Sequence, residues 1–422
     1  MNSRSRFLAA RVAYVLIVLI ATLSDLNFSP DLVAAGERLA RAFALSLGWH
    51  DAIDGIRNVV LFAGLGSVWV VTSAGGRERT EVVRATLAGF ALSVLVEGVQ
   101  CFSAVRTASI VDVATNGAGA FAGAFAIAAL VHAVRSSKGG RSYLGVPAFL
   151  LTGAYGAAVL CEALTPLFHS GVRNYVLGGP LARLRYMLDT AFPLSLAEVQ
   201  LGNIPMMGAV GFLAVMWLSE HSSVTTGRRL ALTFAMCALV IAAQVAHGLF
   251  GLPIRWEAVA TDVLGVAVGA WVAQRWLPAL SQALRGAVRA RAAIVAYALL
   301  LVMWGWRPFF PETDGQAIVR QFTTAAQWIP LASLAGRADV FSAVHVAQQF
   351  LLYAPLGALL SVWPLELAGR WSHLRPALWL AVGIETGHIL VAERMFDITN
   401  ILIACAGLGM GWIVVRHAGF AP

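Results

Sequence analysis

The sequence predicts an all-α, polytopic integral membrane protein. About twelve transmembrane helices are expected, as three tandem four-helix units with both termini cytoplasmic. Three observations carry this prediction. The chain of 422 residues is 59% hydrophobic and 12% charged, against about 25% charged in soluble domains, and its mean hydropathy is +0.75. Apolar runs long enough to cross a bilayer recur along its length. The basic residues between those runs alternate in density. These features exclude a soluble single-core enzyme, a disordered chain and a disulfide scaffold. The net charge of +8 is dispersed between apolar runs rather than gathered on one face, so no nucleic-acid partner is expected.

The runs fall near residues 8–26, 57–75, 84–104, 108–134, 143–165, 200–219, 230–250, 258–277, 291–306, 343–363, 376–392 and 396–415. At about 20 residues per span, twelve spans use about 240 positions, a little over half the chain. Arg4, Arg6 and Arg11 precede the first run, and no small-x-small site follows it, so an uncleaved first span is expected. Eighteen of the 30 basic residues fall on the face that holds both termini, which the positive-inside rule makes cytoplasmic. Three outer loops are long, near 27–56, 166–199 and 307–342. Within them Leu32–Leu47 and Leu181–Met187 have the make-up of short interfacial helices.

One order of landmarks appears three times, which divides the chain into units at 1–142, 143–290 and 291–422. The second helix of each opens on an amide and reaches a glycine eight positions later: Asn58 to Gly66, Asn203 to Gly211, Gln349 to Gly357. The third ends in a polar pair at i, i+3: Glu97/Gln100, Gln244/His247, Glu385/His388. A single arginine follows (Arg106, Arg255, Arg394). The fourth helix then begins with Asp112, Asp262 or Asp397 and carries GxxxG at Gly119/Gly123, Gly265/Gly269 and Gly407/Gly411. Glycines at that spacing let helix backbones pack closely in a membrane.

Asn58-Val-Val-Leu-Phe-Ala-Gly-Leu-Gly66, Glu97-Gly-Val-Gln100, Arg106 and Asp112-Val-Ala-Thr-Asn116 resemble the VanZ-like membrane domain. Phe350-Leu-Leu-Tyr-Ala-Pro-Leu-Gly357, Glu385-Thr-Gly-His388, Arg394 and Asp397-Ile-Thr-Asn400 resemble it a second time. The middle third resembles it only through the internal repeat. That copy is degenerate, with Gln244 in place of the glutamate and no match to Asn116. The resemblance implies a role at the cell envelope, since the founding member is associated with tolerance of a glycopeptide antibiotic acting at the cell surface.

Charged groups at membrane depth are costly, so they pair and face the bundle interior. Glu97, Gln100, Arg106, Asp112 and Asn116 in the first unit, and Glu385, His388, Arg394, Asp397 and Asn400 in the last, form the candidate sites. Two readings stay open. In one, the arginine neutralises the glutamate and aspartate as a structural clasp; in the other, the cluster binds a ligand or catalyses. Histidine is the residue type whose charge changes near neutral pH, which makes the last cluster chemically richer. The four cysteines form no CxxC or His/Cys cluster, and nucleotide and metalloprotease motifs are absent, so no metal or cofactor is expected. The leading reading is an inner-membrane, VanZ-like protein whose outward-facing polar clusters bind membrane lipid, an envelope glycan or a lipid-linked intermediate. A secondary transporter and a membrane enzyme acting on an anionic lipid are the rivals. The sequence carries no signal for oligomeric state.

Overall fold

A computed structural model of the chain describes residues 3–23, 27–43, 49–73, 78–104, 108–137, 142–165, 201–221, 225–249, 256–283, 286–330, 332, 340–362 and 374–419. The chain forms two compact bodies, Met1–Ser136 with Arg337–Ala343, and Ser137–Gly336 with Val344–Pro422. The first holds α1 (Ser3–Leu23), α2 (Leu32–Arg41), α3 (Trp49–Val71), α4 (Glu78–Gln100) and α5 (Ile110–Ser136). The second holds α6 (Ala148–Leu164), α7 (Asn203–His221), α8 (Thr226–Leu249), α9 (Trp256–Ala283), α10 (Gly286–Gly305), α11 (Gly315–Thr323), α12 (Ala325–Trp328), α13 (Val340–Ser361) from Val344 on, α14 (Arg375–Gly387) and α15 (Ile398–His417). Every apolar run of the sequence falls on one of these helices. The interfacial segment expected at Leu181–Met187 lies outside the described residues.

Helices are the form such runs must take in lipid, where each backbone N–H and C=O needs a partner within its own segment. Among the described residues six helical stretches are long and apolar enough to cross a membrane: Arg79–Gln100, Ile110–Ser136, Thr226–Val245, Trp256–Ala279, Val288–Gly305 and Ile398–His417. The protein is therefore a multi-pass, all-α membrane protein. Large apolar side chains such as Leu95, Phe234 and Leu239 point outward from these stretches, as apolar surroundings require. The only extended pairing among the described residues is two isolated antiparallel bridges, Phe28 with Ser103 and Pro311 with Val391.

Three helix pairs share one packing geometry. A Cβ built on Gly66 of α3 would strike the carbonyl of Ala120 on α5; Cβ atoms on Gly119 and Gly123 of α5 would strike those of Val59 and Ala63. In α7 and α9 the contacts are Gly211 on Val266, Gly265 on Ile204 and Gly269 on Gly208. In α13 and α15 they are Gly357 on Leu408, Gly407 on Phe350 and Gly411 on Ala354. Counted from Asn58, Asn203 and Gln349, the carbonyls that meet the GxxxG glycines lie one and five residues on, in all three pairs. Glycine is required here because backbone meets backbone.

The core of the second body gathers on Tyr155, whose ring stands edge-on to Tyr297 and Trp304 at centroid distances of 6.2 and 5.9 Å. The Tyr155 hydroxyl donates to the Met206 carbonyl and that of Tyr297 to the Leu352 carbonyl, at 3.1 and 2.8 Å. Both buried phenols are thus satisfied, as a low-dielectric interior demands.

Candidate functional site

Glu97 and Glu385 occupy the last turns of α4 and α14, each buried to more than nine-tenths. An oxygen of each carboxylate accepts a backbone N–H from the residue just ahead of the next helix: Ser109 N–H to Glu97 Oε2 at 2.9 Å, Asp397 N–H to Glu385 Oε1 at 2.8 Å. Donor and acceptor are twelve residues apart in both. A helix N-terminus leaves amide donors unpaired and carries partial positive charge, so a carboxylate is a favourable partner there. Each glutamate thereby closes its own helix onto the start of the next, α4 onto α5 and α14 onto α15.

At Glu385 the closure is richer. Glu385 Oε1 also accepts from Asn400 Nδ2 at 3.0 Å, and Asn400 Oδ1 lies 3.0 Å from His345 Nε2. His388 opens the 3-10 turn after α14, and its Nε2 lies 3.1 Å from the Gly305 carbonyl. Its Nδ1 lies 3.3 Å from Glu385 Oε1 but is too poorly aligned to count as a hydrogen bond. Asp397 caps α15, accepting from Thr399 N–H at 2.8 Å. Gln349, Tyr353, Glu385, His388, Arg394 and Asn400 line one small pocket, with Trp304 on its wall.

Arg394 lies within the field of the Glu385 charge, but its hydrogen bond goes elsewhere. Its Nε donates to the Arg307 carbonyl at 2.8 Å, and it forms no ion pair with Glu385 or Asp397. The turn after the 3-10 segment passes through Glu393 at φ 64° and carries the guanidinium to the end of α10. Burial, and then the nearby Arg307 charge, push the Arg394 guanidinium below its ordinary value. Its counterpart Arg106 lies outside the described residues, as does the His247 side chain.

In the first body the predicted residues divide into separate contacts. Gln100 Nε2 donates to the Thr22 carbonyl at 3.1 Å, tying α4 to α1. Asn58 Nδ2 donates to Asp112 Oδ1 at 2.8 Å, tying α3 to α5. Asn116 is 2% exposed; its Nδ2 donates to Ser93 Oγ at 2.8 Å, while its Oδ1 is buried without a partner.

The glycine contacts also correct the alignment of the three aspartates. Asp112 lies seven residues before Gly119, Asp262 three before Gly265, and Asp397 ten before Gly407. They are not equivalent positions. In this register Asp112 matches Asn400, and each reaches across to the helix its glycines pack on, at Asn58 of α3 and His345 of α13. Asp397 matches Ser109, and both offer the backbone N–H that the glutamate accepts.

A second cluster escaped the sequence reading. Arg307 Nη2 pairs with Glu162 Oε1 at 2.6 Å, and its guanidinium lies over the Trp304 ring, 5.0 Å from the centroid. Glu162 Oε2 accepts from Gln348 Nε2 at 3.1 Å. Arg307 Nη1 reaches Asn203 Oδ1 at 3.4 Å, and Asn203 hydrogen-bonds Asp262. The usable signal was an acid and an arginine at the ends of two apolar runs, where charges are expected to pair. Partners 145 residues apart cannot be matched by spacing.

Among the described residues no group of three or more His, Cys, Asp or Glu has the geometry of a metal site. Glu385 Oε1 is committed to two N–H donors, so the pocket is an array of positioned donors and acceptors beside an aromatic ring. No curated protein and no solved structure matches the chain. Residues 7–132, from α1 to the last turns of α5, match the family model described as VanZ/LLP1 and are similar to that family.

Proposed function

We propose that the protein acts at the cell envelope as an inner-membrane, VanZ-like protein that binds the polar head of a lipid-linked or surface glycan. In this reading it has twelve spans in three units, 1–142, 143–290 and 291–422, with both termini cytoplasmic. The family match over the first unit and the glycine register repeated in the other two support the triplication. Units of four spans keep one orientation, unlike the inverted repeats of many secondary transporters.

The pocket of the last unit carries the functional reading. It places a carboxylate, two amides, an imidazole, a phenol and a guanidinium around the indole of Trp304. Polar and apolar groups share its wall about equally, and the cavity between them is about 20 Å³, room for a water molecule, so a head group reaches these groups only where side chains move aside. Hydroxyl-rich head groups need both donors and acceptors, and this pocket supplies both. The pocket lies where α15 begins, which the charge alternation places on the outer side.

The test is complementation of a deletion strain by Glu385→Gln, Asn400→Leu and Arg394→Gln. Envelope glycan and lipid-intermediate profiles are read beside membrane abundance and thermal stability. The expected result is abundant, folded protein with an altered profile. Full complementation by all three, or failure only in proportion to lost stability, would reduce the cluster to a structural clasp.

A further inference from the structure

The geometry points to α2 and α11 as a duplicated in-plane helix whose exposed apolar face lies against lipid, at the boundary between head groups and acyl chains. Each stands between the first and second helices of its unit. Each begins with a capping aspartate three residues after a β-bridge position: Asp31 after Phe28, Asp314 after Pro311. The bridges fix their level. Ser29 N–H donates to the Phe102 carbonyl and Ala104 N–H to the Asn27 carbonyl, at 2.6 and 2.9 Å. Glu312 N–H donates to the Leu390 carbonyl and Ala392 N–H to the Phe310 carbonyl, at 2.9 and 2.8 Å. Both helices therefore hang from residues that immediately follow the end of a third helix. In the first body that helix contains the candidate span Arg79–Gln100.

At about 100° per residue, each helix has three faces in the same rotational order. The inward face of α2 is Ala35, Arg38 and Ala42, and that of α11 is Ala317, Ile318 and Gln321. Seven residues after the capping aspartate, the inward polar side chain grips the segment that follows the third helix. Arg38 Nη1 donates to the Cys101 carbonyl at 3.0 Å. Gln321 Nε2 donates to the Arg394 carbonyl at 3.1 Å, and its Oε1 accepts from Phe396 N–H at 3.0 Å. These bonds set the rotation of each helix about its own axis.

With that rotation set, two different faces look outward. One is apolar: Leu32 and Leu39 on α2 with Phe43 in the turn after it, Val319 and Phe322 on α11, all more than half exposed. The other is polar: Glu37 and Arg41 on α2, Gln316 and Arg320 on α11. A helix wholly in water has no reason to separate these faces, whereas one lying in an interface needs both. Exposed Phe28 beside α2, with exposed Leu95 and Val99 on the end of α4, continues the apolar surface. The lipid that already surrounds α4 is thus the occupant that fits. The corresponding stretch of the middle unit lies outside the described residues.

The experiment uses the full chain, free of native cysteines, in lipid nanodiscs. Single nitroxide labels are placed at Leu39 and Phe322 on the apolar faces and at Arg41 and Gln316 on the polar faces. Collision with oxygen, which concentrates in lipid, is compared with collision with a water-soluble nickel chelate. The expected result is an oxygen-to-nickel ratio several-fold higher at Leu39 and Phe322 than at Arg41 and Gln316. Equal, water-like ratios at all four sites would overturn the assignment. So would dipolar broadening at Leu39 or Phe322, which would mean that a second copy covers the face. Each labelled protein is first matched to the parent in melting temperature.

Discussion

Gly411→Ala and Gly409→Ala place the same methyl group two residues apart on α15, and the structure requires opposite outcomes. At Gly409 a Cβ meets nothing within 4 Å. Alanine there removes the backbone-entropy penalty of a mid-helix glycine, worth about 1 kcal/mol. At Gly411 a Cβ strikes the carbonyl oxygen and carbon of Ala354 and approaches the amide of Ala358. Those atoms belong to the α13 backbone and have no rotamer to move into, so the two helices must separate. Overpacking of this kind costs about 1–3 kcal/mol, and a rigid backbone obstacle puts it near the upper end, about 3. Subtracting the propensity gain leaves a net loss of about 2 kcal/mol against a gain of about 1 at Gly409. At about 2–4 °C per kcal/mol for a body of this size, the melting temperatures of the two variants should differ by about 6–12 °C. Intrinsic tryptophan fluorescence during heating of the purified protein in detergent measures the difference. Equal melting temperatures, or a stabilised Gly411→Ala, would refute close backbone contact between α13 and α15. By the shared register, it would weaken the case for the other two pairs.

Glu385→Gln should cost about 1–2 kcal/mol, because two hydrogen bonds to a charged acceptor become neutral ones. Glu385→Ala should cost about 2–4 kcal/mol, because it strands Asp397 N–H and Asn400 Nδ2; equal melting of the two variants would deny those bonds. A double-mutant cycle of Glu162→Gln with Arg307→Gln should give a coupling of about 1 kcal/mol. The Glu162 side chain is 38% exposed, and solvent discounts the Coulomb gain of such a pair; zero coupling would dismiss the pair as incidental. Single cysteines at exposed Ala104 and Met395 should react with an impermeant thiol reagent added outside cells, and cysteines at Ser136 and Gly227 should not. The reverse pattern would invert the proposed topology.

Local pattern and long-range contact separate what was readable in the chain from what was not. The apolar runs were legible because a span must be apolar over its whole length, and each run lies on a helix. The glycines were legible because close packing requires the smallest residue at fixed spacing, and their contacts recur in three pairs. Lining up Asp112, Asp262 and Asp397 failed for a physical reason. Polar residues near a helix start serve different tasks, cap or cross-link, and only the packing register distinguishes them. Arg394 feels the Glu385 charge, yet its hydrogen bond to the Arg307 carbonyl follows from a turn with positive φ that no spacing announces. Glu162 and Arg307 lie 145 residues apart, and no periodicity relates them. Helix α11 was missed although Asp314 repeats the Asp31 cap; comparing the two outer loops as copies would have exposed it.

Helix α8 contrasts with its neighbours. Within Thr226–Val245 no residue of the most apolar window is buried, whereas the corresponding windows of α9 and α15 are 44% and 50% buried. Burial in packed protein is what makes the opening of a segment costly. The α8 backbone hydrogen bonds should then be the first to yield along the chain. In a bilayer the scarcity of water hides this weakness; in a thinning detergent micelle it would surface as early deuterium uptake between residues 226 and 245. Solubilisation would unravel the protein from its middle outward, while the glycine-joined pairs at either end still held.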